Sequence, residues 1–118
     1  WLSILISSSE EYVLLVSFDG FRHDYPEIID TPNFDRIQKD GVRAESLIPI
    51  FPTLTFPNHY SIATGCYADK HRIISNTFYS KTLGKVYSMR DRETVQDGSF
   101  FGAEPIWVPL PNHYMLSA

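Results

Sequence analysis

The class this sequence predicts is α/β, a central β-sheet flanked by helices. Three observations lead there. Residues 12–18 (Tyr-Val-Leu-Leu-Val-Ser-Phe) form an unbroken, β-branched-rich run that is almost entirely apolar. Such runs read as strands buried on both faces of a helix-covered parallel sheet. Residues 31–41 carry helix punctuation: Thr31 as N-cap, Pro32 in the first turn and Gly41 as terminator. Phe34 and Ile37, three apart, share the apolar face of that short helix. Val42, Ala44, Ser46 and Ile48 then alternate with Arg43, Glu45 and Leu47, predicting a second, less buried strand. Strand, helix and strand at this spacing make a βαβ unit with a right-handed connection.

The remaining elements follow in order. Asp19 closes the first strand, where open α/β sheets place their ligands. It is also half of an Asp-Gly pair with Gly20, which by itself reads as a turn. Residues 52–60 (Pro-Thr-Leu-Thr-Phe-Pro-Asn-His-Tyr) lead into a helix from about Pro57 to Thr64, closed by Gly65. Phe56 precedes a proline, which favours extended backbone there. Thr55 and several unpaired N–H groups at this helix start are suited to a phosphate. The plainer alternative is that Thr55 or Thr53 caps the helix. Residues 67–72 read as a polar loop and 73–76 as a short extended piece. Residues 77–81 and 85–89 flank Thr82, Leu83 and Gly84 as a β-hairpin. Residues 90–98 are charged and read as loop. Residues 103–107 suggest a helix start around Pro105.

Composition narrows the function classes. Ten basic and fourteen acidic residues give a formal charge of −4, and no basic cluster suggests nucleic-acid binding. The one cysteine, Cys66, excludes an internal disulfide and reads as a small buried hydrophobe. Residues 1–10 are apolar, then small and polar, too short to span a bilayer. They read as a remnant of a signal peptide or membrane anchor, ahead of a domain from 11 to 108 and an unassigned tail from 109 to 118. The chain begins with Trp1, and the expectation is a fragment.

Four motifs then fall in order: Val16 to Arg22 with Asp19; Thr55 to Tyr60 with Thr64 and Gly65; Asn76; and Glu104, Pro105, Ile106 and Trp107. Together they resemble the N-terminal part of the nucleotide pyrophosphatase/phosphodiesterase (type I phosphodiesterase) family of the alkaline phosphatase superfamily, over roughly residues 12–108. Four separate motifs are far harder to match by chance than one. The resemblance implies an alkaline-phosphatase-like sandwich, of which this chain is part of a domain. It implies a phosphodiester or nucleotide hydrolase working outside the cytoplasm with two divalent metal ions, expected to be Zn²⁺. By position, Asp19 matches a metal ligand. Thr55 matches the nucleophile, whose oxygen also contacts metal. Asn76 matches a donor to a non-bridging phosphate oxygen, and Phe56 an aromatic that stacks on the base.

The chemistry suits those residue types. A threonine hydroxyl is a weak nucleophile until a base or metal activates it. Charge builds on the phosphate oxygens during transfer, and an amide donor stabilises it. There are departures. Leu54 stands where many members carry Lys, removing a cation beside the phosphate. His71 falls at a family position and is read as a loop anchor through a hydrogen bond. His23, His59 and His113 are read as structural or surface residues. The family's remaining ligands lie beyond these residues, and one carboxylate with one hydroxyl cannot hold two zinc ions. The chain alone is therefore expected to be inactive. Monoester hydrolysis, phosphate transfer, or a non-catalytic binding role are the alternatives.

Overall fold

A computed structural model describes residues 13–109. The expected leader at residues 1–10 lies outside them, as does the tail from 110 to 118. The chain divides into two compact units between Ile48 and Pro49.

In the first unit, helix α1 (Tyr25–Ile28) precedes helix α2 (Pro32–Asp40). Helix α2 keeps the predicted bounds, with Thr31 at the N-cap position, Pro32 in the first turn and Gly41 at the C-cap, its N–H donating to the Ile37 carbonyl; the Thr31 hydroxyl makes no capping bond and donates to Asp35 Oδ1 at 3.3 Å instead. Helix α1 was not legible, although Asp24 and Pro26 give it the same start signals. Phe34 of α2 meets Phe18 and Phe21 at ring-centroid distances of 5.7 and 5.2 Å, and Phe21 meets Tyr25 at 5.4 Å. Phe34 of α2 thus packs on the end of the first apolar run and on the segment that follows it. Arg43 ties the unit together through bonds to the His23 carbonyl, Gln38 and Glu27.

Neither predicted strand of this unit forms. Residues 13–18 and 42–48 carry no strand pairing, and the βαβ unit is absent among the described residues. Val42 and Ile48 are 96% and 85% exposed. Apolar runs and alternation specify which faces a strand would bury. They do not supply the neighbouring strand whose N–H and C=O groups complete the ladder.

The second unit holds the core. Helix α3 (Thr55–Thr64), helix α4 (Ala68–His71), strand β1 (Thr77–Ser80), strand β2 (Lys85–Ser88) and helix α5 (Arg92–Gln96) follow in order. The hairpin matches expectation. β1 and β2 pair antiparallel with Phe78 opposite Tyr87, and Gly84 turns the chain at φ +65°. Its positive φ is the left-handed conformation glycine adopts without strain. Ile73, Tyr87 and Phe100 are the buried centre, with Phe56, Tyr60, Phe78, Leu83, Val95 and Phe101 packed around them.

Three segments differ from the loop or helix expected of them. The polar segment 67–72 contains α4, closed by Arg72 in the left-handed region. The charged segment 90–98 contains α5, because the Asp91 carboxylate accepts from the Glu93 N–H as an N-cap. Asp97 does the same for a short 3₁₀ turn, Gly98–Phe100. Residues 103–107 do not start a helix. The Ile106 N–H bonds the Ala63 carbonyl at 2.7 Å, so that donor goes to the end of α3.

The core contains one anomaly. The Tyr87 hydroxyl is buried and has no hydrogen-bond partner among the described residues, and burial pushes its pKa up to about 12. An unpaired buried hydroxyl costs about 1–3 kcal/mol. Tyr87→Phe keeps the ring contacts with Phe78 and Phe100 at 5.2 and 5.3 Å. It is expected to leave Tm unchanged or raise it by a few degrees; a fall in Tm on thermal unfolding would reveal a partner for the hydroxyl.

Candidate active site

The site is built around the start of α3. Leu54 holds the N-cap position with extended backbone, and Thr55 is the first helical residue. Neither threonine is the cap residue: Thr53 donates its hydroxyl to the Ile50 carbonyl at 3.3 Å instead. The helix begins two residues earlier than predicted, and Phe56 is helical, not extended. Pro57 sits in the third position, where a missing N–H is tolerated because the first-turn N–H groups have no intrahelical partner. Gly65 ends the helix at φ +65°, its N–H donating to the Ser61 carbonyl at 2.8 Å.

The expected cluster of several unpaired N–H groups is also corrected. The Leu54 N–H goes to the Pro52 carbonyl, the Asn58 N–H goes to the Leu54 carbonyl, and Pro57 has none. The Phe56 N–H goes to Asn76 Oδ1 at 2.9 Å. The protein itself thus satisfies most of the first turn.

That last bond places Asn76, twenty residues from Phe56 in sequence, at the helix start that carries Thr55. Asn76 is held a second time through its own carbonyl, which accepts from the Met89 N–H at 2.8 Å. Committing Oδ1 to a backbone donor sets the orientation of the amide and leaves its NH₂ as the donor end. The ring of Phe56 is half-buried. It packs on the core, 6.2 Å from the Tyr87 ring. Asp19 lies in the first unit, exposed, at the turn with Gly20, whose φ is +64°.

Sequence reasoning missed Asn58. Its Oδ1 accepts from the Ile50 N–H at 2.8 Å, and its Nδ2 donates to the Pro52 and Leu54 carbonyls at 3.1 and 2.9 Å. One side chain therefore fastens the loop that delivers Thr55 onto the first turn. All three partners are backbone groups, which leave no sequence signal.

His71 is the loop anchor that its position suggests. It is fully buried. Its Nδ1 accepts from the Ile73 N–H at 3.2 Å, and its Nε2 lies 2.8 Å from Ser61 Oγ. Burial lowers its pKa, against smaller opposing effects of backbone hydrogen bonding and the Asp69 charge. With Nδ1 accepting from Ile73, the ring proton is assigned to Nε2.

Among the described residues no three His, Cys, Asp or Glu side chains gather as metal ligands. These residues do not by themselves make a metal centre, since zinc takes at least three protein ligands. No helix among them is long and apolar enough to cross a membrane.

The fold recurs in solved structures. Murine ectonucleotide pyrophosphatase/phosphodiesterase 5 superposes with a TM-score of 0.76 at 38% identity, over 82% of this chain and 26% of that one. An inactive threonine-to-alanine form of the same murine protein, in complex with AMP, matches with the same TM-score at 37% identity. The described elements are thus part of an alkaline-phosphatase-like α/β fold. The model of the type I phosphodiesterase / nucleotide pyrophosphatase family matches residues 13–115, and this chain belongs to that family. Among curated relatives, mouse bis(5'-adenosyl)-triphosphatase enpp4 is 46% identical over 86% of this chain and 22% of its own length. Human ectonucleotide pyrophosphatase/phosphodiesterase family member 5 is 39% identical over 87% and 22%. The chain spans about a fifth of the length of these relatives.

Proposed function

We propose that the full-length protein hydrolyses phosphodiester or pyrophosphate bonds in nucleotide-type substrates, outside the cytoplasm, with Thr55 as nucleophile. The observation that carries this reading is the Phe56 N–H to Asn76 Oδ1 bond, which joins a candidate nucleophile and a candidate phosphate donor at one helix start. Thr55 Oγ attacks phosphorus, the bond to the leaving oxygen breaks, and a threonine-linked phosphate ester forms. Water then attacks that phosphorus, releasing a phosphate monoester and restoring the hydroxyl. The Asn76 NH₂ donates to a non-bridging oxygen as negative charge develops. The half-exposed Phe56 ring offers a face for a nucleobase.

Family membership supports two divalent ions, zinc in this reading, with Asp19 and Thr55 among the ligands. The described residues do not complete such a centre. Relatives whose names begin "ectonucleotide" support the extracytoplasmic location.

The test is the full-length protein's rate on a nitrophenyl phosphodiester against the corresponding monoester. The diester is expected to be cleaved at least about tenfold faster, a difference of about 1.4 kcal/mol in transition-state binding. Faster monoester cleavage would favour a phosphomonoesterase, and no cleavage of either a binding role.

A further inference from the structure

We propose that His71 is a positioning residue for hydrolysis, holding α3 at a second point so that Thr55 and Asn76 keep a fixed relation. The proposal rests on the phosphodiesterase reading of Thr55 and Asn76.

A closed circuit of bonds links α3 to the segment that carries Asn76. Phe56, in the first turn of α3, is bonded to Asn76. Ser61, five residues further along the same helix, is bonded to His71 Nε2. His71 Nδ1 in turn takes the Ile73 N–H, and Ile73 is fully buried, three residues before Asn76. One tie leaves a helix free to tilt about it. Two ties separated by about 7.5 Å along the axis, at 1.5 Å per residue, fix its tilt against the segment that carries Asn76. The His71 carbonyl accepts from the Gly102 N–H at 3.0 Å, which holds His71 itself in place. The Tyr60 ring packs edge-on against the imidazole at 5.0 Å.

The same bonds exclude the other role a Ser–His contact suggests. Nδ1 is occupied by a donor, so Nε2 carries the proton and donates to Ser61 Oγ. An imidazole in that tautomer cannot take the Ser61 proton, so Ser61 is not an activated nucleophile. The neutral ring is a two-ended connector: an acceptor toward Ile73 and a donor toward α3.

The experiment compares His71→Phe, Asn76→Ala and the double variant in the full-length protein. Phe keeps an aromatic ring beside Tyr60 and removes both polar bonds. His71→Phe is expected to speed amide exchange at Phe56 about tenfold and to lower kcat about tenfold, with KM within about twofold, as a shift in reacting geometry does. In the Asn76→Ala background the further loss from His71→Phe is expected to shrink to about twofold or less, because contacts within one network are not additive. His71→Asn, whose amide can still accept from Ile73, is expected to recover part of kcat. Unchanged Phe56 exchange, or fully additive losses, overturns the proposal. If His71→Phe does not fold, Ser61→Ala removes only the α3 tie and is read in the same way. A wild-type protein that cleaves no phosphodiester defeats the functional reading, while Phe56 exchange still decides the role of His71.

Discussion

Thr55→Ala in the full-length protein is expected to lower kcat for phosphodiester hydrolysis by a factor on the order of 10⁴ or more, as loss of a nucleophile does in covalent catalysis. Stability should change little. Leu54, not Thr55, occupies the N-cap position, and threonine to alanine inside a helix is favourable by a few tenths of a kcal/mol on propensity alone. A Tm within a few degrees of wild type, together with loss of turnover, is the expected pair of results. Thr55→Ser keeps the hydroxyl and is expected to retain measurable turnover, along with a serine-linked phosphate detectable by mass spectrometry after rapid quenching. Wild-type turnover in Thr55→Ala would move the chemistry to another residue.

Replacing Asn76 in two ways separates its two jobs. Asn76→Ala removes the acceptor of the Phe56 N–H and the NH₂ donor together. A first-turn acceptor of this kind contributes about 1 kcal/mol. A donor to the developing charge on phosphate contributes about 10²–10³ in kcat. Both losses are expected. Asn76→Asp keeps the acceptor and places a negative charge at a helix N-terminus, which the helix dipole favours. Its Tm is expected to equal or exceed wild type. Its turnover should fall at least as far as that of Asn76→Ala, because a carboxylate offers no donor and repels the anionic substrate. Thermal melts and steady-state kinetics on the pair check both. If Asn76→Asp retained wild-type turnover, the donor role would fail while the capping role stood.

These expectations also show what was legible where. Helix α2 was readable because Pro32 and Gly41 act on the backbone beside them, although the Thr31 hydroxyl goes to the Asp35 carboxylate and makes no cap. The hairpin was readable for the same reason, with Gly84 accommodating a positive φ. Local rules failed where a distant group supplied the deciding bond. Phe56 was expected to be extended before Pro57, yet the Asn76 amide meets its N–H within the helix. Residues 103–107 were expected to open a helix, yet the Ile106 N–H goes to Ala63 at the end of α3. The two expected strands of the first unit failed differently. Their apolar patterns were genuine, but a ladder needs a partner strand, and none of the described residues provides one.

By itself the sequence determined the family, through motifs spread from Asp19 to Trp107 that no single local pattern could imitate. Through that resemblance it also put forward Thr55 and Asn76 as candidates, a hydroxyl and an amide being residue types that suit phosphoryl transfer. Only the tertiary structure decided how those two are joined. Hydrogen bonds across twenty residues of chain depend on where the backbone travels, which residue order does not state. The Phe56 link to Asn76, the Asn58 fastening of the preceding loop and the His71 connection between α3 and Ile73 are all of that kind.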